Sequence, residues 1–155
     1  MRKKQKTISK SCSIEGIGLH TGVKSRLTFH PAAENFGIKF KRSDIKNSPA
    51  IDATIENVID LKRSTTIGVN NVEIHTVEHV MAAVYGLEIS NLLIEVNNIE
   101  VPVIDGSSKP FVDILIESGL SVQSKERDEI EIKEVIKYSN PESQIDIHVL
   151  PSESF

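Results

Sequence analysis

Read for the spacing of apolar and polar side chains, the chain falls into short alternating runs and two stretches of helical period. Alternation predicts strands over 7–17, over 23–29, where Pro31 stops the run, and over 37–42, in which apolar residues interleave with Lys39, Lys41 and Arg42. A further strand is predicted over 51–59. Two short strands, 65–69 and 72–75, meet at Asn70-Asn71, a pair suited to the positive φ of a tight hairpin. The period then changes, with Val77, Val80, Met81, Val84, Tyr85 and Leu87 spaced as on a helix with one buried stripe. Thr76, just ahead of that run, reads as its N-cap, and Gly86 as a C-terminal residue suited to a left-handed backbone. Beyond it lie a buried strand over 91–96, a turn at Asn97-Asn98, an extended piece over 101–104 and a loop at Asp105-Gly106-Ser107-Ser108. Pro110 then opens a second helix with Phe111, Val112, Ile114, Leu115 and Ile116 as its apolar positions and Gly119 as its end.

This order of elements predicts an α+β fold, a mostly antiparallel sheet with two helices packed on one face. Residues 1–122 form the first domain in this reading, and the polar stretch 123–128 is a link. Alternation over 129–138 and 144–150, about a turn at Asn140-Pro141, gives one hairpin, which is too little to be stable alone. Residues 129–155 therefore read as the opening strands of an incomplete second domain. Because the pattern breaks off at Phe155, the expectation is that this is the first third or half of a longer protein.

Composition removes several function classes. With 155 residues and 39% hydrophobic content, the chain can bury a core for one domain and a little more. A net charge of −4, with both signs scattered, leaves no basic face for a nucleic-acid backbone. An aromatic content of 5% without Trp argues against a base-stacking surface. No run approaches the roughly 20 apolar residues of a membrane span. The single Cys12 and a basic start with no apolar segment after it point to a reducing compartment.

Candidate chemistry centres on His75-Thr76-Val77-Glu78-His79. The pattern His-x-x-Glu-His is an inverted zinc-protease signature, in which two histidines on one helical face hold the metal and the glutamate activates water. If Thr76 caps the helix, however, His75 belongs to the preceding strand and the two imidazoles need not share a face. The plain alternative is a helix start whose polar residues face solvent. In Gly16-Ile17-Gly18-Leu19-His20-Thr21-Gly22, three glycines in seven residues mark a tight corner or a close approach of backbone to something else. It lacks the Gly-Lys-Ser/Thr ending and following helix of a phosphate loop. His20 after that corner lines a cleft or makes a turn bond, while His30 and His148 read as structural or exposed. Asp105-Gly106-Ser107 reads as an Asx-type turn. Asp60, Arg63, Ser64 and Thr65 are either ordinary loop polarity or neighbours of Glu78, and the charges of 39–42 read as a solvated edge.

Together the glycine corner, Thr76-Val77-Glu78-His79, and Asn91 leading through Ile94-Glu95-Val96 to Pro102-Val103-Ile104-Asp105-Gly106-Ser107 resemble the UDP-3-O-acyl-N-acetylglucosamine deacetylases of lipid A biosynthesis. The likeness runs from about residue 7 to 120, and more faintly after 128. It implies a cytoplasmic zinc (Zn2+) amidohydrolase of two similar α+β domains, with the active site between them, that releases acetate from UDP-3-O-acyl-N-acetylglucosamine. By motif match His79 is a zinc ligand and Glu78 the general base, while the position of His75 is not a ligand. His20, Arg63, Ser64 and Thr65 fall where substrate is contacted, and Thr76 and Asp105 are structural. The family's other ligands, a His and an Asp of a His-Lys-x-x-Asp segment, and its general-acid His lie in the second domain and are absent from this chain. The rest of the same polypeptide is thus an implied partner, and this piece alone is expected to be inactive, because a catalytic zinc takes three protein ligands. An inverted-motif zinc peptidase and a non-catalytic scaffold of the same fold are the competing readings.

Overall fold

Residues 3–152 are described by the structure, a computed structural model. In chain order the elements are β1 (Lys4–Ile8), β2 (Cys12–Ile17), β3 (Lys24–Pro31), β4 (Ile38–Arg42), β5 (Ala50–Asp52), β6 (Val58–Asp60), β7 (Thr66–Val69), β8 (Val72–Ile74), α1 (Glu78–Gly86), β9 (Leu92–Val96), α2 (Lys109–Glu117), β10 (Leu120–Glu126), β11 (Ile136–Asn140) and β12 (Ile145–Val149).

The period-2 alternation sets the main layer. Five strands pair in the order β2-β3-β9-β4-β5, antiparallel except for β4 beside β9. One face carries Leu27, Phe29, Phe40, Ile51, Leu92, Ile94 and Val96, all buried in one cluster with Val80, Ala83 and Val84 of α1 and Phe111 and Leu115 of α2. Each of the Val, Leu, Ile and Phe side chains among them contributes roughly 1.5–3 kcal/mol by leaving water. The opposite face is held in solvent by ion pairs, Glu15 with Lys24 and Arg26, Glu95 with Lys41, and Asp52 with Lys39, and His30 Nε2 lies 3.4 Å from Glu95 Oε2. The layer of helices on one side of a mostly antiparallel sheet is thus the predicted α+β arrangement. A second sheet, β6-β7-β8, contains the hairpin, and Asn70 and Asn71 turn it at φ 49° and 62°, as their side chains permit. Helix α2 has Pro110 in its first turn, and Gly119 follows it at φ 76°.

Several expectations need correction. The run 7–17 is two strands, because the chain turns at Ser9, whose amide donates to the Gly119 carbonyl, and β1 leaves to pair with β10. The polar link begins as a strand instead: β10 covers Leu120–Glu126. Its polarity hides the ladder, since Gln123 accepts from Asn91 Nδ2 at 2.7 Å and donates to the Ala32 carbonyl at 3.0 Å. Asn91, only 1% exposed, also donates to Gln5 Oε1 and accepts from the Gly37 amide, so every polar atom of its side chain is paired. The stretch 51–59 is broken by a 3₁₀ turn, Ile55–Asn57, between β5 and β6. Of 129–138 only the end is strand, where β12 supplies a partner, and most side chains of this last hairpin are exposed.

Arg42 is no solvated edge. It shares a face with Phe40 on an interior strand, is 8% exposed, and forks onto Asp44 at 2.8 and 2.6 Å while donating to the Glu73 carbonyl. Gly86 lies within α1, and the left-handed residue after the helix is Glu88 at φ 57°, bonded to Lys3 and Lys6.

Candidate functional site

The head of α1 is built from three approaches of backbone. His75, beyond the end of β8, bridges to Glu100: its amide donates to the Ile99 carbonyl at 2.9 Å and its carbonyl accepts from Val101 at 3.2 Å. Thr76 then turns the chain at φ 63°, and the first helical residue is Glu78. The N-cap position belongs to Val77, with no side-chain cap bond, so Thr76 is not the N-cap. Its left-handed backbone delivers the hydroxyl to the buried Glu100 carboxylate at 2.9 Å instead of to the helix amides. Glu78 and His79 nevertheless occupy the first turn, both half-buried.

The carboxylate of Glu78 is braced. Its Oε2 accepts from the Thr65 amide at 2.9 Å, while the Val77 amide donates to the Thr65 carbonyl at 3.2 Å. This reciprocal clamp ties the loop before β7 to the helix head, and it engages the backbone of Thr65. The imidazole of His79 makes no hydrogen bond or ion pair among the described residues, so its nitrogens are available. His75 differs. It precedes the helix and its Nε2 lies 3.1 Å from Glu73 Oε1, so the two-histidine helical face of the inverted motif does not form.

His20, Arg63 and Ser64 come together in one open cleft of about 360 Å³, shared with Asp60, Lys62, Thr66, Glu73 and His75. Glu78 and His79 do not line it; the Thr65 clamp is what connects them to its edge. Asp105 stands apart from the cleft lining as an exposed Asx turn, its Oδ1 accepting from the Ser107 amide and hydroxyl, both at 2.9 Å. Those bonds hold its carboxyl below the usual range.

Glu100 is the residue that sequence reading missed. It is 0% exposed and sits where the glycine corner meets the approach to α1. The corner's amides reach it because residue 18 has no side chain: a Cβ on Gly18 would lie 2.3 Å from Glu100 Oε2. The signal available beforehand was a lone acid between Ile99 and Val101 in an apolar stretch, downstream of an unexplained glycine cluster. Burial disfavours ionisation of Glu100, but bonds from the Thr21 hydroxyl, the His20 and Thr21 amides and the Thr76 hydroxyl outweigh it and lower the pKa to about 2.

A pKa lowered from 4.5 in this way adds stability above pH 4.5 that is lost as the pH falls toward about 2. Glu88, lowered to about 2 by Lys3 and Lys6, acts in the same window. The unfolding temperature of the full-length protein is therefore expected to drop across that window. Glu100→Gln should lower it at neutral pH and make the acid drop shallower, as a pH series of thermal melts would record.

No group of three or more His, Cys, Asp or Glu is arranged to hold a metal among the described residues. The donor set that is present, one unpartnered imidazole next to a braced carboxylate, fits one corner of a zinc site. No helix among the described residues is long and apolar enough to cross a membrane.

Comparison with known proteins gives the family. The family described as "LpxC: UDP-3-O-acyl N-acetylglycosamine deacetylase" matches residues 5–155. The chain is 46% identical over 151 residues to the bifunctional enzyme LpxC/FabZ of Chlorobaculum tepidum, covering 97% of this chain and 32% of that protein. It is 44% identical over 130 residues to the UDP-3-O-acyl-N-acetylglucosamine deacetylase of Methylococcus capsulatus, covering 84% and 43%. With the protein of the same name from Myxococcus xanthus it shares 37% over 140 residues, covering 90% and 45%. The chain thus spans between about a third and under a half of the length of these relatives. Since the matched residues take in the glycine corner, the Thr65 clamp, the head of α1 and Glu100 alike, the chain belongs to the UDP-3-O-acyl N-acetylglycosamine deacetylase (LpxC) family.

Proposed function

We propose that this chain is the part of a zinc-dependent deacetylase of lipid A biosynthesis that supplies the general base, Glu78, and one zinc ligand, His79. The substrate is UDP-3-O-acyl-N-acetylglucosamine, the bond broken is its N-acetyl amide, and the compartment is the cytoplasm. The observation that carries this reading is the Thr65 amide fixing one oxygen of Glu78 while the adjacent imidazole is left without a partner.

Glu78 Oε2 is occupied by the amide, which orients the carboxylate and leaves the other oxygen to take a proton from water. His79 offers a neutral nitrogen as ligand, and the remaining ligands come from the rest of the polypeptide. A bound zinc ion would supply Lewis acidity, polarising the amide carbonyl and making water acidic enough to lose a proton near neutral pH. Hydroxide adds to the carbonyl carbon, the C–N bond breaks, acetate leaves, and the amine gains a proton from an acid outside this chain. His20, Arg63 and Ser64, gathered in the cleft beyond the clamp, contact polar groups of the sugar nucleotide, and the Thr65 backbone positions the base.

The full-length protein is expected to release acetate from UDP-3-O-acyl-N-acetylglucosamine, to stop when a chelator removes zinc, and to recover when zinc is returned. A zinc-loaded protein that leaves this substrate intact would refute the proposal.

A further inference from the structure

Glu100 is fully buried and makes no ion pair among the described residues, so hydrogen bonds alone support its charge. They arrive from two sides. From the glycine corner, the His20 amide lies 3.0 and 3.2 Å from the two oxygens, and the Thr21 amide and hydroxyl lie 2.8 and 2.6 Å from Oε2. From the approach to α1, the Thr76 hydroxyl donates to Oε1 at 2.9 Å. The backbone on either side of Glu100 is itself bonded to His75. Thr76 holds φ 63°, a conformation that a β-branched residue keeps only when its surroundings enforce it.

We infer that Glu100 is a positioning residue, its carboxylate holding the corner that bears His20 in register with the helix head that bears Glu78 and His79. The inference rests on the proposed roles of those two residues. One side chain sets the offset between two backbone segments that the sheets do not pair directly, and an offset of about 1 Å at a reacting group can cost on the order of 10²-fold in rate. Glutamine cannot replace it. A carboxamide turns an N–H group toward a backbone amide at either position, the His20 amide at the place of Oε1 or the His20 and Thr21 amides at the place of Oε2, and an amide N–H cannot accept.

The test uses the full-length, zinc-loaded protein with Glu100→Gln, Thr76→Val and Thr76→Ser, assayed well below each unfolding midpoint. Glu100→Gln and Thr76→Val are expected to lower kcat by about 10–100-fold with one zinc retained. KM should change less than kcat, by no more than about threefold, since Arg63 and Ser64 keep their places in the cleft and only the corner that bears His20 shifts. Thr76→Ser, which keeps the hydroxyl, should restore most of the rate. Unchanged kcat in folded Glu100→Gln, or equal rates in Thr76→Val and Thr76→Ser, overturns the inference; the Thr76 pair decides if Glu100→Gln does not fold. If the unaltered protein itself fails to release acetate, it is the proposed function that has failed. Positioning is then read from ring ¹⁵N resonances of His20 and His79, assigned by substitution. These should move in Glu100→Gln and Thr76→Val but not in Thr76→Ser, and resonances that stay put in all three overturn it.

Discussion

Glu78→Gln in the full-length protein is expected to lower kcat for acetate release by about 10²–10⁴-fold while the bound zinc is retained, the range that a positioned general base contributes. Glutamine is nearly the same shape, and its carbonyl oxygen can still accept from the Thr65 amide, so the clamp between the loop and the head of α1 survives. What it lacks is an oxygen basic enough to take a proton. The loss should therefore fall on kcat and kcat/KM together, with KM little changed. Steady-state rates alongside metal analysis of the same samples check both halves. Turnover close to that of the unaltered protein would show that some other group removes the proton.

His79→Ala carries the second large effect, on the metal. Removing a direct ligand should weaken zinc by more than the roughly 10–100-fold that follows loss of a mere supporting hydrogen bond, and activity should disappear with it. His75→Ala is the informative companion. That ring lies 3.1 Å from Glu73 and precedes the helix, so its loss is expected to leave zinc content unchanged. Chelator competition on the two variants separates the deacetylase from the inverted-motif peptidase, which needs both imidazoles. Zinc lost from His75→Ala and kept by His79→Ala would reverse the assignment.

Which parts could be foreseen follows from how local their causes are. The hairpin at Asn70-Asn71 and the helix opening at Pro110 depend on backbone preferences of the residues themselves, and both formed where expected. The Asx turn at Asp105 is equally local. Strand β10 was obscured because its buried contacts are amide to amide, Gln123 with Asn91, and polarity alone cannot tell a paired polar side chain from a solvated one. Thr76 misled for a related reason. A hydroxyl before an apolar helical run normally caps that run, but a buried acceptor 24 residues later competes for it and wins.

The candidate site divides along the same line. Alternation and period, which are properties of neighbours in the chain, determined an α+β layer with its apolar face under two helices, and they put Glu78 and His79 together in a first helical turn. Tertiary structure decided that Thr65 braces the base, that His75 turns to Glu73, and that Glu100, 79 residues beyond Thr21 and 24 beyond Thr76, joins the glycine corner to the helix head. A buried charge with no cation must collect neutral donors from wherever the fold brings them, and only the folded chain shows which segments meet there.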